Sequence, residues 1–405
     1  MSMKYAVVLC DGMADEPIDE LNGKTPLEYA DTPAMDELSR RSLIGVSNMI
    51  PEGMNPGSDT ANLAVLGYDP KKYYSGRSPL EALSIGVPME DTDIAIRCNF
   101  VTLSEEDVPY EDRTIIDHSS GEISTEDAAV LMEAVKEKLS SDRFSFYVGT
   151  SYRHCLIDKK GSVTELTPPH DILTKRIGDY LPKELELKRM MEESFEILKD
   201  HPINVERKKN GLNPANSCWF WGAGTKPMLD PFEGKTGLKG TMISAVDLLK
   251  GIAVGADMKV VNVPGANGGL NTNYTGKCEA AYEALKSTDC DFVYIHIEAP
   301  DEMGHQGSYE RKVKAIENID KNIIGPLVNK LKKDKIDFRL MVLPDHPTPV
   351  RLRTHTSDPI PFMLYDSRDI YTSEHAYNER EAALTGIKVD NGYKLINKLL
   401  ENDTK

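Results

Sequence analysis

The sequence predicts an α/β fold with a mostly parallel sheet and a smaller inserted α+β domain. The main observation is that short apolar runs alternate with amphipathic helical segments through the second half of the chain. Such alternation is typical of a parallel sheet with helices on both faces. The length of 405 residues favours two domains over one. We expect a core domain of residues 1–112 and 176–405, with the insert at 113–175.

The amino-terminal part supplies a strand and two helix starts. Tyr5–Cys10 is a short apolar run and predicts a central strand. Thr32 and Pro33 are typical of a helix N-cap and the first helical position. A turn rich in proline and glycine then brings Ser58 to the start of another helix.

The predicted insert has a different texture. Ser124 begins a capping box, and an amphipathic helix is predicted over 123–139. Two β-like runs follow at 144–148 and 151–157, and a polar loop at 167–171 closes the block.

Beyond the insert, strands and helices alternate regularly. Predicted helices cover 184–199, 244–256, 277–286 and 309–332, and predicted strands cover 217–221, 259–263, 292–297, 338–343 and 361–365. The last helix before the strand at 338–343 is expected to be long and continuous.

Composition excludes several classes of protein. With 40% apolar and 28% charged residues the chain has the make-up of a globular protein. A net charge of −17 argues against nucleic acid or anionic membrane as the main partner. Six scattered cysteines without a C-x-x-C pair predict reduced, buried thiols. A strand-like amino terminus and the lack of a long apolar span lead us to expect a cytoplasmic protein.

Acid and histidine pairs follow two of the predicted strands. Asp345 and His346 come directly after the strand at 338–343, and Asp301 and His305 follow the strand at 292–297 at a spacing of one helical turn. Both side-chain types cost free energy to bury without a partner. At the carboxyl edge of an α/β sheet, such pairs are typical of metal ligands.

Three further residues are candidates for the same site. Asp11 follows the first strand, and His355 lies on the loop before the strand at 361–365. Ser58 stands where free helix amides can meet an anion. Each has an ordinary alternative, because Asp11 can cap a turn and Ser58 or Asp59 can cap a helix.

Taken together, these residues predict a site for two divalent ions. The set is Asp11, Ser58, Asp301, His305, Asp345, His346 and His355. Nitrogen and oxygen ligands without thiolate favour Mn²⁺ or Zn²⁺ over Ca²⁺. Mg²⁺ is a further candidate. Two ions roughly 3.5–4 Å apart suit in-line displacement at phosphorus. A serine beside them is a natural nucleophile.

Other arginines and histidines are candidate contacts for an anionic substrate. Arg77 and Arg97 suit bidentate binding of phosphate or carboxylate, although either could form a surface ion pair instead. In the predicted insert the candidates are His118, Arg153, His154, His170 and Asp171, for which a plain surface position is the common alternative. Neither a Walker A phrase nor a dinucleotide-binding glycine phrase is present, which disfavours P-loop kinases and dinucleotide enzymes.

The motifs in this order resemble the cofactor-independent phosphoglycerate mutases of the archaeal type, in the alkaline phosphatase superfamily. The resemblance rests on Asp11-Gly, Gly57-Ser58, Asp301-x-x-x-His305, Asp345-His346, His355-Thr, Gly76-Arg-Ser-Pro-Leu-Glu-Ala82 and Arg97-Cys-Asn-Phe100. It implies a three-layer α/β/α core like that of alkaline phosphatase. It also implies interconversion of 2-phosphoglycerate and 3-phosphoglycerate without 2,3-bisphosphoglycerate.

The resemblance assigns roles as well. One ion would be held by Asp301, His305 and His355, and the other by Asp11, Ser58, Asp345 and His346. Ser58 would take the phosphoryl group from the substrate and return it to the neighbouring hydroxyl. Arginines and histidines of the insert would hold the carboxylate and phosphate of this small metabolite.

One phrase departs from the archaeal mutases. Where they carry an arginine-rich phrase resembling Asp-Arg-Arg-Ala-Gly-Arg, this chain has Asp117-His-Ser-Ser-Gly-Glu122. Loss of guanidinium groups weakens a pocket for a doubly anionic substrate. A bacterial subgroup with a similar phrase has been proposed to phosphorylate homoserine, so a homoserine kinase-like phosphotransferase on the same scaffold is the alternative. A non-catalytic metal-binding relative is a second alternative, and the presence of Ser58 beside a full ligand set argues against it.

Overall fold

The structure is a computed structural model that describes residues 2–400. Its strands are β1 (Lys4–Cys10), β2 (Ser42–Ser47), β3 (Ile94–Leu103), β4 (Ile115–Asp117), β5 (Phe144–Thr150), β6 (Arg153–Asp158), β7 (Ser217–Thr225), β8 (Gly240–Ile243), β9 (Lys259–Val261), β10 (Phe292–Ile297), β11 (Phe338–Leu343), β12 (Ile360–Asp366) and β13 (Lys388–Val389).

The α-helices alternate with these strands. They are α1 (Pro26–Tyr29), α2 (Pro33–Ser39), α3 (Ser58–Val65), α4 (Pro70–Tyr73), α5 (Arg77–Ser84), α6 (Thr125–Leu139), α7 (Leu185–Leu198), α8 (Pro202–Lys209), α9 (Phe232–Thr236), α10 (Asp247–Gly255), α11 (Tyr274–Lys286), α12 (Ala299–His305), α13 (Tyr309–Ile319), α14 (Gly325–Lys333), α15 (Glu379–Leu384) and α16 (Leu395–Leu400). The chain forms two units: unit 2 is Ser75–Met228, and unit 1 is made from the described residues on either side of it.

Unit 1 is built on an eight-stranded sheet in the order β13-β2-β12-β11-β1-β10-β8-β9. Every neighbouring pair is parallel except those of β12, which runs antiparallel to both β11 and β2. The central strand β1 lies between β10 and β11, with Val8 opposite Ile295 on one side and Val342 on the other. The predicted mostly parallel sheet is therefore confirmed.

Both faces of this sheet are covered. All residues of β1, β10, β11 and β12 are buried, as expected for strands of continuous apolar sequence. On one face Ala6 and Val8 join a cluster with Ile316 of α13 and Leu327 of α14. On the other face, Arg339 of β11 donates a hydrogen bond to a carbonyl of α16. The predicted three-layer α/β/α arrangement of the core is thus confirmed.

The prediction of one continuous helix over 309–332 is wrong, because the helix is interrupted. A π-helical turn, Asp320–Ile324, separates α13 from α14. Pro326 follows this turn directly, and a proline both lacks an amide hydrogen and clashes with the carbonyl four residues earlier. Widening the turn relieves that clash. The turn also has a structural use, since the Asp320 carboxylate accepts two amides at the start of α2.

Unit 2 contains an antiparallel sheet in the order β4-β3-β6-β5, with β7 also paired to β3. Its apolar cluster includes Phe100 of β3, Leu131 of α6, Met191 of α7 and Trp219 of β7. These bounds are wider than the expected insert at 113–175, because β3 and β7 pair with each other and β3 pairs with β6. Among residues 2–400, no helix has the length and apolar character needed to cross a bilayer.

Candidate active site

The sheet of unit 1 brings the predicted ligands to one edge. Asp11 follows β1, Asp301 lies in α12 directly after β10, and Asp345 follows β11. Because β10, β1 and β11 are adjacent and parallel, their carboxyl ends lie side by side. This is the edge at which open α/β sheets bind ligands.

One group of potential ligands consists of Asp11, Asp345 and His346. Their ligand atoms all lie within 4.8 Å of one another, and all three residues are buried. Asp345 Oδ1 accepts the amide of Gly12 at 3.1 Å, and its Oδ2 accepts Asn62 Nδ2 at 2.8 Å. The Asp345 carboxylate is therefore fixed by the loop after β1 and by helix α3.

A second group consists of Asp301, His346 and His355, again with ligand atoms within 4.8 Å. His305 is close to this group, with Nε2 3.2 Å from Asp301 Oδ2 and 3.0 Å from His355 Nε2. Spacing of one helical turn within α12 puts Asp301 and His305 on the same side. His346 belongs to both groups, whereas the sequence analysis assigned it to one ion only.

Ser58 lies beside the residue that the two groups share. Its Oγ is 3.2 Å from His346 Nε2. Gly57 is the N-cap of α3, and Ser58 is the first helical residue, so capping of this helix does not account for the serine. Thr348 Oγ1 donates to Asp301 and lies 3.3 Å from His346 Nδ1. The Thr348 hydroxyl oxygen can accept a hydrogen bond from Nδ1–H of His346. In that tautomer the lone pair of Nε2 faces Ser58.

The charge balance of the first group calls for a cation. Burial raises the pKa of Asp11 well above its ordinary value, and the Asp345 and Asp301 carboxylates raise this pKa further. Asp11 Oδ1 is buried without a hydrogen-bond partner. An ionised carboxylate in such surroundings is costly unless it is paired or coordinates a metal. The donor set of carboxylates, imidazoles and one serine therefore fits divalent ions such as Mn²⁺ or Zn²⁺.

The second group holds its charge differently. Burial alone would raise the pKa of Asp301, but hydrogen bonds from His305 and His355 outweigh it and bring this pKa well below the ordinary value. The same contact with Asp301 raises the pKa of His305 to about 9. In the absence of a metal ion the His305 imidazolium balances the carboxylate, and a divalent ion would take over that role.

Several supporting residues escaped the sequence analysis. His296 of β10 contacts Asp11, Asn62 of α3 contacts Asp345, and Thr348 contacts Asp301. The buried amine of Lys312 donates to carbonyls of Ala14 and Thr348, which ties together the loops after β1 and β11. The available signal was a polar residue inside an otherwise apolar strand or helix face, because buried polar groups need partners.

Unit 2 contains a separate cluster of candidate substrate contacts. Glu81 bridges two arginines, with Oε1 2.8 Å from Arg77 Nε and Oε2 3.1 Å from Arg97 Nε. The Arg97 guanidinium stacks 4.1 Å over the Trp221 ring. Burial lowers the pKa of Arg97, partly offset by Glu81. A guanidinium held in this way is oriented before any anion arrives.

Two predicted histidines lie around the same aromatic ring. His170 is 5.4 Å from Trp221 between ring centroids, and His118 is 6.2 Å from His170. Tyr152 lies against His118 and also carries the Arg153 guanidinium, 5.3 Å over its ring. The structure thus brings Arg97, His118, Arg153 and His170 into one cluster.

The remaining two candidates are Asp171, at the surface beside His170, and His154, in the interior of unit 2. Asp171 is exposed, 3.6 Å from the Nε2 of His170. His154 is buried, with its ring edge-on to Phe100 and its Nδ1 accepting the Gly149 amide. Burial lowers the pKa of His154 to about 3, so this imidazole is neutral. The expectation that His154 faces a substrate is not met, because β6 is buried from His154 to Asp158.

The phrase that departs from the archaeal mutases forms a tight turn. The Asp117 carboxylate accepts the amides of Ser119 and Gly121, and Ser120 has a positive φ of 50°. Arg113 does not replace the missing arginines, because its guanidinium donates to the carbonyls of Ser104, Glu106 and Val108. Arg113 therefore has a structural role.

Fold and site define an α/β enzyme with carboxylates and imidazoles gathered at the carboxyl edge of a mostly parallel sheet. Residues 39–204 match the family model described as 2,3-bisphosphoglycerate-independent phosphoglycerate mutase. A protein of that name from Methanosarcina barkeri is 48% identical, over 94% of this chain and 95% of its own. Another from Methanothrix thermoacetophila is 44% identical, over 98% of this chain and 100% of its own.

Solved structures agree. The PH0037 protein from Pyrococcus horikoshii is similar with a TM-score of 0.82 and 28% identity over 100% of both chains. The cofactor-independent phosphoglycerate mutase from Thermoplasma acidophilum has a TM-score of 0.67 and 27% identity, over 98% of this chain and 99% of that one. This chain belongs to the family of 2,3-bisphosphoglycerate-independent phosphoglycerate mutases.

Proposed function

We propose that this enzyme interconverts 2-phosphoglycerate and 3-phosphoglycerate, with Ser58 carrying the phosphoryl group between the two positions. The observation that carries this proposal is the position of Ser58 Oγ, 3.2 Å from the imidazole shared by both groups of potential ligands. Membership of a family whose members are named as mutases supports the same reaction.

Two divalent ions are part of this proposal. Asp11, Ser58, Asp345 and His346 would hold one ion, and Asp301, His305 and His355 the other. When bound, such ions supply positive charge that lowers the pKa of a coordinated hydroxyl and neutralises phosphoryl oxygens. Mn²⁺ and Zn²⁺ suit this donor set best, and Mg²⁺ is the third candidate.

The protein's own residues carry out the transfer. Ser58 Oγ attacks the phosphorus of the substrate, a bond from phosphorus to Oγ forms, and the bond to the substrate oxygen breaks. In this first step the Ser58 hydroxyl gives up its proton and the leaving substrate oxygen takes one up. In the second step the neighbouring hydroxyl gives up its proton and attacks the phosphoserine, the bond from phosphorus to Oγ breaks, and Oγ takes up a proton, which restores Ser58. As the first residue of α3, Ser58 also lies near helix amides that can bind an anion.

Substrate recognition is proposed to use the cluster of unit 2. Arg77, Arg97 and Arg153 provide positive charge for carboxylate and phosphate, and His118, His170 and Asp171 provide hydrogen bonds. Neutral His154 would support this surface from the interior. Because the 117–122 turn contains no arginine, the stacked guanidinium of Arg97 becomes the principal anion contact.

The two alternative functions, a homoserine kinase-like phosphotransferase and a non-catalytic relative, have little support. The relatives described above are named as mutases, so a homoserine kinase-like activity has no support from them. A non-catalytic relative would have no use for a serine beside the shared imidazole.

Phosphorus NMR distinguishes these assignments. The enzyme with Mn²⁺ is given 3-phosphoglycerate in one tube, and homoserine with ATP in another. We expect a 2-phosphoglycerate signal at a catalytic rate in the first tube only. A new phosphoester from homoserine without isomerisation in the first tube would overturn the proposed substrate, and inactivity in both tubes would favour the non-catalytic relative.

A further inference from the structure

We propose that His296 and Ser244 are positioning residues that hold Asp11 with one carboxylate oxygen turned towards the metal site. This inference rests on the proposed function, since it concerns how an ion is bound. His296 is fully buried in β10, a strand whose other residues are apolar apart from the Tyr294 hydroxyl. Its Nε2 lies 2.8 Å from Asp11 Oδ2.

Strand register explains why these two side chains meet. His296 pairs with Leu9 on the neighbouring parallel strand β1. Asp11 comes two residues after Leu9, and its amide still donates to the Ile297 carbonyl of β10 at 2.9 Å, so its side chain points to the same face of the sheet. The register of β1 and β10 therefore brings these two side chains together at the carboxyl edge of the sheet.

A chain of hydrogen bonds fixes which nitrogen carries the proton. A carboxylate can only accept, so Nε2 of a neutral His296 must donate to Asp11, and Nδ1 must accept. Ser244 Oγ lies 3.2 Å from Nδ1 and can donate to it. The same oxygen accepts the amide of Val246 at 3.0 Å, which fixes the direction of the hydroxyl. The order of donation runs from Val246 through Ser244 and His296 to Asp11.

The result is a carboxylate with two different oxygens. Oδ2 accepts from His296, whereas Oδ1 is buried without a hydrogen-bond partner and belongs to the group with Asp345 and His346. Asp345 is held by two amides and by Asn62, but within residues 2–400 His296 is the one hydrogen-bond donor to the Asp11 side chain. Asp11 therefore depends on His296 for its orientation more than Asp345 depends on any one neighbour.

Loss of this donor has a specific expected effect. In His296→Leu the Asp11 carboxylate can turn, and we expect affinity for one of the two ions to fall by about 10- to 100-fold, as for other outer contacts of metal ligands. His296→Gln places an amide nitrogen near the position of Nε2 and should restore most of the affinity. Ser244→Ala removes the hydrogen bond that fixes the tautomer of His296, and the affinity for the same ion should fall several-fold. Ser47→Ala serves as the matched control, because this buried hydroxyl of the same sheet donates to the Val389 carbonyl instead.

The test is Mn²⁺ titration of the metal-free full-length enzyme, with free Mn²⁺ counted by electron paramagnetic resonance and folding checked by circular dichroism. Wild-type enzyme and Ser47→Ala should bind two ions, and His296→Leu should lose affinity for one while keeping the other. If His296→Leu binds both ions with unchanged affinity, the inference is overturned and the proposed function is not affected. If His296→Leu does not fold, unchanged affinity in Ser244→Ala has the same meaning. A wild-type enzyme that binds no ion overturns the proposed metal centre as well.

Discussion

His346 Nε2 lies 3.2 Å from Ser58 Oγ, and His346 belongs to both groups of potential metal ligands. This contact joins the start of α3 to the loop after β11. It places a hydroxyl at the point where the carboxylates and imidazoles of the site converge. The proposed reaction depends on that position, and the predictions below test it from different sides.

Replacing the serine tests the nucleophile. Ser58→Ala should lower kcat for mutase activity by on the order of 10⁴-fold or more, as loss of other enzyme nucleophiles does, and should leave an ion bound by Asp11 and Asp345. Steady-state kinetics and bound-metal analysis measure the two effects. Ser308→Ala is the control: Ser308 caps α13, so this change should cost about 1 kcal/mol of stability and leave kcat unaltered. Activity near wild type in Ser58→Ala would exclude the serine as nucleophile.

Replacing either histidine of the second group tests metal binding. His305→Ala and His355→Ala each remove a nitrogen close to Asp301, so the bound metal should fall from about two ions per chain towards one. Elemental analysis after dialysis measures this occupancy. His375→Ala is the matched control, because His375 pairs with Glu381 instead. Full occupancy in both test variants would remove these residues from the ligand set.

Asn62 offers a test of how the carboxylates are held. Its Nδ2 donates at 2.8 Å to both the Ser58 carbonyl and Asp345 Oδ2. Asn62→Asp keeps the shape of the side chain but removes both hydrogen bonds from Nδ2 and brings two carboxylates together. We expect a loss of about 1–3 kcal/mol of unfolding free energy. Urea unfolding without metal measures the loss. Added Mn²⁺ should recover part of it, and a variant as stable as wild type without metal would contradict this account.

The anion contact of unit 2 can be tested with a conservative change. A lysine at Arg97 keeps the charge but can neither stack flat on Trp221 nor present a fork of donors. Arg97→Lys should therefore raise KM for 3-phosphoglycerate by about 10- to 100-fold, the value of a charged hydrogen bond. Arg351→Lys, at an exposed ion pair with Glu16, is the control. Equal KM values for the two variants would rule out Arg97 as a substrate contact.

Buried His154 predicts how stability depends on pH. Burial lowers its pKa from 6.5 to about 3 in the folded protein. Between those pH values the unfolded chain binds a proton that the folded chain does not, so this residue makes the protein less stable as pH falls below 6.5. The effect is at most about 1.4 kcal/mol per pH unit.

A variant isolates that contribution. His154→Gln should lose less unfolding free energy than wild type between pH 6.5 and 5, by up to about 2 kcal/mol. Urea unfolding at the two pH values gives the difference, with His375→Gln as the control. Identical pH dependence in His154→Gln and wild type would mean that burial does not lower the pKa of His154 in the folded state.

Sequence reasoning identified the parts of the site that follow from strand ends. Asp11, Asp301 and Asp345 each come after an apolar run, and the carboxyl ends of parallel strands lie at one edge of the sheet whatever the order of the strands. It could not show that His346 belongs to both groups, because that depends on the packing of a loop. His296 was missed since a lone histidine in an apolar strand is normally taken as part of the core.

For the fold as well, local features could be predicted from the sequence and long-range contacts could not. Local patterns predicted most helices and strands, but the pairing of β3 with β7 joins residues more than a hundred positions apart, and no local period reveals it. The expected insert at 113–175 is therefore shorter than unit 2, which spans Ser75–Met228. The break in the helix after residue 319 was visible in principle, since Pro326 was present in the sequence.

The most direct test of the central claim is to find the phosphoryl group on Ser58. Enzyme turning over 3-phosphoglycerate with Mn²⁺ is quenched in acid within milliseconds, digested, and analysed by mass spectrometry with fragmentation. We predict one phosphate on the peptide that contains Ser58, localised to that residue, and none in Ser58→Ala treated in the same way. Active wild-type enzyme that shows no phosphate on Ser58, or a phosphate on another residue, would contradict the phosphoserine mechanism.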